Sequence, residues 1–170
     1  DREFRVNNVF KNIALSIAVF MLLPMFMSHM EKIRVLAADD EYWSRENLRN
    51  LLPWQEYGME FLEPACDGEE VLERMEQEHP DILLTDINMP FMDGLELLAR
   101  MQKEYPEAVT VAVSGYDDFE KVKGTFLSGG IDYLLKPVGR EDLEQVIRKI
   151  MDILEKRKKQ KEREDRTASV

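Results

Sequence analysis

Four stretches of this 170-residue chain hold side chains suited to a phosphoryl group or a metal ion. Asp39-Asp40-Glu41 sets three acids in a row. Asp86 closes the apolar run Ile82-Leu83-Leu84 and is followed by Asn88, Pro90 and the turn Asp93-Gly94. Ser114-Gly115 follows another apolar run, and Lys136-Pro137 follows a third. Carboxylates gathered at one place repel one another, and some take up protons unless a cation neutralises them. Hard oxygen ligands with room for water suit Mg²⁺, which usually takes one or two carboxylates and keeps a water or phosphate partner. A lysine adds a fixed positive charge and a serine adds a hydroxyl donor. Together these describe a site for a phosphoryl group held by metal, lysine and hydroxyl. There is no Gly-rich nucleotide loop, so the phosphoryl carrier is a side chain, and a carboxylate can be that nucleophile.

For these stretches to meet, the elements between them must bring them to one edge. Apolar runs of this kind suit strands buried on both faces of a parallel sheet, where ligands sit beyond the carboxyl ends. Strands are expected over 33–38, within 59–66, and over 81–85, 109–113 and 131–135. Helices are expected after Ser44 as N-cap, over 69–78, 95–105 and 118–128, and from Arg140 onward. In the last of these, Leu143, Val146, Ile147, Ile150, Met151 and Leu154 recur at one helical face. Proline or glycine punctuates each end, at Pro53, Pro80, Pro106 and Gly129-Gly130. Strand and helix alternate five times, which gives an α/β fold with a doubly wound five-stranded parallel sheet and helices on both faces. The strand ends then collect Asp39, Asp40, Asp86, Ser114 and Lys136.

Composition narrows the function. Hydrophobic content of 44% and charged content of 34% fit a soluble globular protein. A net charge of -11 argues against nucleic-acid binding by the body of the chain. A single cysteine, Cys66, excludes an internal disulfide and fits the cytosol, so a cytoplasmic location is expected; in packing terms it reads as a small core residue. Two histidines, His29 and His79, leave little room for a His-based metal site or triad. Trp43 and Trp54 read as helix-edge packing.

The motifs Asp39-Asp40-Glu41, Asp86 through Gly94, Ser114-Gly115-Tyr116 and Lys136-Pro137 closely resemble those of the receiver domain of two-component response regulators. The resemblance covers about residues 31–154, and its Ser-Gly-Tyr-Asp-Asp-Phe and Asp-Tyr-Leu-Leu-Lys-Pro runs look most like the subgroup with an AraC-type DNA-binding domain. It implies the flavodoxin-like receiver fold, strand order 2-1-3-4-5, and a phosphorylation-controlled signalling switch rather than an enzyme, one that assists its own phosphorylation and dephosphorylation. By resemblance, Asp86 accepts the phosphoryl group from a sensor histidine kinase. Asp40 and Asp86 bind Mg²⁺ directly, Asp39 acts through water, and the Asn88 carbonyl completes the set. Lys136 pairs with a phosphoryl oxygen, Ser114 moves to hydrogen-bond it, and Tyr133 is the switch aromatic, with a half-buried strand aromatic as the plainer reading. The bond before Pro137 is expected to be cis. The changed face of the fourth helix and fifth strand then controls a DNA-binding output for transcription regulation. Receiver dimers often use that face, where Phe119, Lys123 and Phe126 are candidates for a homodimer.

Two positions near the site stand out. Phe91 stands where the family often has Gly, setting an exposed aromatic beside the site that is expected to slow or select phosphodonors. Asn88 is placed to tune autodephosphorylation. Two other functions compete: a Mg²⁺-dependent aspartyl-nucleophile phosphatase, and a degenerate receiver acting only as an interaction module. The phosphatases usually carry a second acid two residues after the nucleophile, where this chain has Asn88.

The flanks differ from the middle. Residues 1–29 carry Arg2, Arg5 and Lys11 before an apolar run over 13–27, shorter than the ~20 residues of a membrane span. They read as a tag, a fusion or an apolar N-terminal segment, with residues 30–154 as the receiver, for which no membrane partner is expected. Residues 155–170 read as a charged helix end or a linker toward an output domain absent from this chain, through which DNA would be reached. Stretch 155–166 has seven basic and four acidic residues. Its mixed signs and lack of aromatics argue against a nucleic-acid tail.

Overall fold

A computed structural model of the chain describes residues 32–92, 94–115 and 132–168. The elements below belong to the unit Ile33–Val170. The expectations for residues 1–29, for the helix over 118–128 with Phe119, Lys123 and Phe126, and for Gly129-Gly130 lie outside the described residues.

Five strands form one parallel sheet in the order β2-β1-β3-β4-β5. They are β1 (Ile33–Ala38), β2 (Met59–Phe61), β3 (Ile82–Asp86), β4 (Val109–Ser114) and β5 (Asp132–Leu135). The described helices are α1 (Tyr42–Leu51), α2 (Gly68–Glu78), α3 (Gly94–Glu104) and α4 (Arg140–Ala168). Successive strand side chains point to opposite faces, and two cores follow from that. Val35, Ala37, Ile82, Leu84, Val111 and Val113 pack with Leu48 of α1 and Leu143, Ile147 and Ile150 of α4. On the other face, Leu36, Ala38 and Leu83 pack with Val71 and Met75 of α2 and Leu97 and Met101 of α3. Every residue of β3 is buried, which is why that strand reads as an unbroken apolar run up to its acid.

Local chemistry sets the element ends. The Asp67 carboxylate accepts from the Glu70 N–H at 2.8 Å, and the Glu70 carboxylate accepts from the Cys66 N–H at 2.8 Å, so the first turn of α2 is capped from both sides. His79 takes the left-handed conformation, φ 49°, at the C-cap of α2, and its N–H donates to the Met75 carbonyl. Pro80 follows at once. Trp54 opens a short 3-10 turn, Trp54–Tyr57, that the sequence pattern did not announce. Its indole N–H donates to the carbonyls of Leu48 and Arg49 at 3.2 and 3.0 Å, satisfying groups that the end of α1 leaves open.

Several expectations change. Ser44 is not the N-cap of α1: the helix begins at Tyr42 after Glu41, and the Ser44 hydroxyl donates to the Glu41 carboxylate at 3.1 Å. The second strand lies within 59–66 as expected and occupies Met59–Phe61 of it. Leu62 and Ala65 still donate to the carbonyls of Val35 and Ala37, but Pro64 between them has no N–H to continue the ladder. Asp86 and Ser114 are the last residues of their strands, held by pairing Asp86 with Val113 and Ser114 with Leu135. Cys66 is exposed at the tip of the β2–α2 loop rather than in the core. The acids Glu70 and Asp67 beside it, together with partial burial, push its thiol above the ordinary range. Trp43 is 79% exposed, its ring edge-on to that of Tyr42 at 5.2 Å. The last helix runs unbroken past Leu154 to Ala168.

Candidate functional site

All the singled-out acids lie at or just past the carboxyl ends of β1 and β3, which are neighbours in the sheet. Asp39 follows β1 directly, and its N–H donates to the Ala65 carbonyl at 3.2 Å. Its Oδ1 accepts from the Glu41 N–H at 2.9 Å. Asp86 ends β3, and its Oδ1 accepts from the Ile87 N–H at 2.7 Å. Asp40 turns outward and is exposed. Carboxylate oxygens of Asp39, Asp40 and Asp86 all lie within 4.8 Å of one another. Ser114 ends β4 and Lys136 follows β5, tied together by the Lys136 N–H donating to the Ser114 carbonyl at 2.8 Å.

Lys136 reaches back across the sheet. Its Nζ lies 2.7 Å from Asp39 Oδ2 and 2.9 Å from Asp86 Oδ2. Asp39 is 1% exposed and Asp86 4%. Burial pushes the Asp39 carboxyl above its ordinary range, although Lys136 and the Glu41 N–H pull it partly back. Burial also works against the Lys136 ammonium, but Asp39 and Asp86 outweigh it and hold the lysine above its ordinary value. One ammonium facing three carboxylates leaves the cluster short of positive charge. That deficit, with hard oxygens and an open side at Asp40, fits a divalent cation such as Mg²⁺.

The Ser114 side chain is fully buried, and its hydroxyl has no hydrogen-bond partner among the described residues. An unpartnered buried hydroxyl is costly. Next to it, Gly115 has open space where a Cβ would stand. Asn88 is exposed two residues past Asp86. Tyr133 is partly exposed on β5, in register with Ala112. The Lys136–Pro137 peptide is cis.

Residues that sequence reasoning did not assign also shape the site. Arg45 of α1 donates to the carbonyls of Asp39 and Asp40 at 2.6 and 3.1 Å and fixes the acid turn from below. No motif signals it. Gly94 brings the start of α3 against the end of β3, where a Cβ would meet the Asp86 carbonyl oxygen at 2.4 Å. The turn motif Asp93-Gly94 marks the position but not this contact. Phe91 has φ 68° and is 92% exposed. The Met92 N–H donates to the Pro90 carbonyl across it at 2.8 Å, so Phe91 is the centre of a γ-turn of the strained, positive-φ kind. Its ring faces solvent.

A five-stranded parallel α/β sheet of this order, with acids at two neighbouring strand ends and a lysine after the last, is the architecture of receiver domains. The family model for the response regulator receiver domain matches residues 35–148, and the chain belongs to that family. It is 37% identical over 124 residues to an uncharacterized response regulatory protein of Staphylococcus epidermidis, covering 73% of this chain and 47% of that protein. It is 34% identical over 121 residues to the transcriptional regulatory protein HptR of Staphylococcus aureus, covering 71% of this chain and 47% of that protein. The chain thus spans about half the length of the curated relatives it matches. Among solved structures, the REC domain of AraT, a response regulator from Geobacillus stearothermophilus, superposes with a TM-score of 0.69 at 36% identity, covering 74% of this chain and 97% of that one. A two component transcriptional regulator AraC from Clostridium phytofermentans gives a TM-score of 0.64 at 30% identity, covering 71% and 97%. Among the described residues no helix is long and apolar enough to cross a membrane.

Proposed function

We propose that this receiver domain, residues 30–154, takes a phosphoryl group on Asp86 from a sensor histidine kinase. The observation that carries the reading is the gathering of Asp39, Asp40 and Asp86, with the Lys136 ammonium on Asp39 and Asp86, in a site that also holds the buried Ser114 hydroxyl, which has no hydrogen-bond partner among the described residues. A carboxylate oxygen of Asp86 attacks the phosphorus of the donor, the P–N bond to the histidine breaks, and an acyl phosphate forms. The residues that would hold Mg²⁺ are Asp40 and Asp86 directly, Asp39 through water, and Asn88 through its carbonyl. When bound, the metal neutralises charge on the phosphoryl oxygens. Phosphorylation adds roughly -1.5 to -2 charges. Lys136 turns its ammonium to a phosphoryl oxygen, and Ser114 gains the acceptor its hydroxyl lacks. Tyr133 follows that movement on β5, and the altered surface is read by a DNA-binding output of the AraC type, beyond this stretch of chain. A homodimer through the same surface fits this scheme, as does a cytoplasmic location.

The approach to the site supports a protein donor. A cavity of about 480 Å³ lies beside the acids, with Leu48, Val113, Pro137 and Val138 as its apolar part and Trp43 at its side. It shares Asp39 and Lys136 with the site. An exposed tryptophan next to such a cavity suits an apolar side chain of a docking partner.

The test is intact mass after incubation with Mg²⁺ and acetyl phosphate, for the wild-type chain and Asp86→Ala. One adduct that requires Mg²⁺, stops at a single phosphoryl group and is lost in the variant is the expected result. Multiple turnovers of a general phosphate ester would instead establish a phosphatase. A wild-type chain that binds Mg²⁺ but never gains the adduct would leave only an interaction module.

A further inference from the structure

Residues 155–168 lie wholly outside the core, and every one of them is exposed. In sequence this stretch mixes its charges. As a helix it sorts them. At 100° per residue, Lys156, Lys159, Arg163 and Arg166 follow i, i+3, i+7 and i+10 and share one face. Gln160 and Thr167 border that face on one side. Glu155, which pairs with Lys159 at 2.5 Å, borders it on the other. Arg157 lies on a different side and donates to the carbonyls of Pro106 and Glu107 at 3.4 and 2.8 Å. That bond, and the buried positions Leu143, Ile147 and Ile150, mark which side of α4 meets the domain. The basic stripe runs along the opposite side.

We propose that this stripe is a contact for the phosphate backbone of duplex DNA. The inference rests on the reading that the chain serves a DNA-binding output. Three features favour DNA over other anionic partners. Residues 155–167 contain no apolar side chain, so the segment has no face to bury in a lipid surface. For the same reason it offers no apolar or aromatic anchor for a protein interface. The lack of aromatics counts against stacking on single-stranded bases, but a contact made of charge alone suits the phosphate backbone of a duplex, where counterion release supplies the affinity. The acidic body is the objection, since the chain carries a net charge of -11. Distance answers it: Arg163 and Arg166 stand roughly 14 and 18 Å beyond Leu154 along the helix axis, about two Debye lengths at physiological ionic strength.

The experiment measures binding of the full 170-residue chain to a short fluorescein-labelled duplex of mixed sequence, by anisotropy, across a potassium chloride series. Contact by four basic residues predicts a log–log salt slope of about -3 to -4. Lys156→Gln/Arg163→Gln lowers that slope by roughly two units, whereas Lys158→Gln/Lys161→Gln, with the same change in net charge, leaves it in place. Glutamine supports a helix about as well as lysine or arginine, and circular dichroism of each variant checks that α4 persists. Absence of duplex binding at low salt overturns the proposal. So do equal losses in the two variants, which would mean net charge only, or preferential binding to phosphatidylserine vesicles. Mass labelling of Asp86 in the same samples keeps the two readings apart: a chain that is phosphorylated normally but ignores DNA sinks the stripe alone.

Discussion

Gly94 and the carbonyl oxygen of Asp86 stand so close that a Cβ on residue 94 would sit 2.4 Å from that oxygen, with the Ile87 backbone at 2.6 and 2.8 Å. The obstacles are backbone atoms of the strand end that carries Asp86, so they cannot swing aside as a side chain could. Alanine normally favours a helix over glycine by about 1 kcal/mol. Here the sign reverses: Gly94→Ala is expected to lose about 2–3 kcal/mol of stability in urea unfolding. Whatever fraction folds should be labelled more slowly by acetyl phosphate.

Phe91 gives the opposite expectation. A bulky residue held at positive φ costs about 1–3 kcal/mol, and a ring 92% exposed recovers almost none of that through packing. Phe91→Gly should raise stability by roughly 1 kcal/mol after the extra chain entropy of glycine is allowed for, read as a higher urea midpoint. Because so exposed a ring packs against little of its surroundings, the labelling rate of the variant with acetyl phosphate should match the wild type. That outcome would remove the screening role that the sequence alone suggested for this aromatic.

In the proposed switch, Ser114 would tell the unmodified state from the phosphorylated one. Removing a buried hydroxyl that has no partner should be neutral or stabilising by about 1 kcal/mol. Ser114→Ala is therefore expected to melt at or above the wild-type temperature when unmodified. With beryllofluoride and Mg²⁺ bound, the order should invert, since only the wild type then has an acceptor for the hydroxyl. Calorimetry of both proteins in both states checks it.

Lys136→Met leaves Asp39 and Asp86 buried without their shared counter-charge. Breaking a buried pair costs about 3–5 kcal/mol, reduced here to roughly 2 because the lysine side chain is a quarter exposed. The loss depends on pH. The lysine is held above its ordinary 10.5, so its contribution is complete below that value and disappears as pH rises through the higher folded value. The Asp39 carboxyl is held above its ordinary 3.8, so its burial penalty is absent at acid pH and grows as pH rises through that range. The gap between wild type and variant should thus be widest near neutrality and narrow on both sides. Urea unfolding at stepped pH measures it. Calorimetric titration of the variant should also show tighter Mg²⁺ binding, since the cluster has lost a competing cation.

Much of the fold was legible because β3 and its neighbours are buried on both faces, and burial of that kind writes itself as unbroken apolar runs. The placement of Asp39, Asp86, Ser114 and Lys136 at one edge follows from parallel strands alone. What was not legible has local causes. Ser44 looked like a cap, but the acid turn Asp39-Asp40-Glu41, held by Arg45, puts the N-cap of α1 at Glu41, three residues earlier. Pro64 shortened the second strand by a missing N–H, though its surroundings looked extended. Phenylalanine has no preference for the left-handed region, so nothing in the sequence marks the γ-turn at Phe91. The twofold grip of Lys136 on Asp39 and Asp86 depends on side-chain reach across three strands, which no spacing records.

That grip bears on how the chain becomes a folded domain. Lys136 and Asp86 are 50 residues apart in the chain, and Asp39 is more distant still. Contacts of such long separation form late, after nearer pairings have closed their loops. Until β5 docks beside β4, β1 and β3 hold their acids without the Lys136 counter-charge, and β4, which carries Ser114, has a neighbouring strand on its β3 side alone. Under the proposed function, the surroundings of Asp86 would be completed by the strand that brings Lys136, and a partly synthesised or partly unfolded chain would carry Asp86 without them. Competence to receive a phosphoryl group would then report that folding has finished.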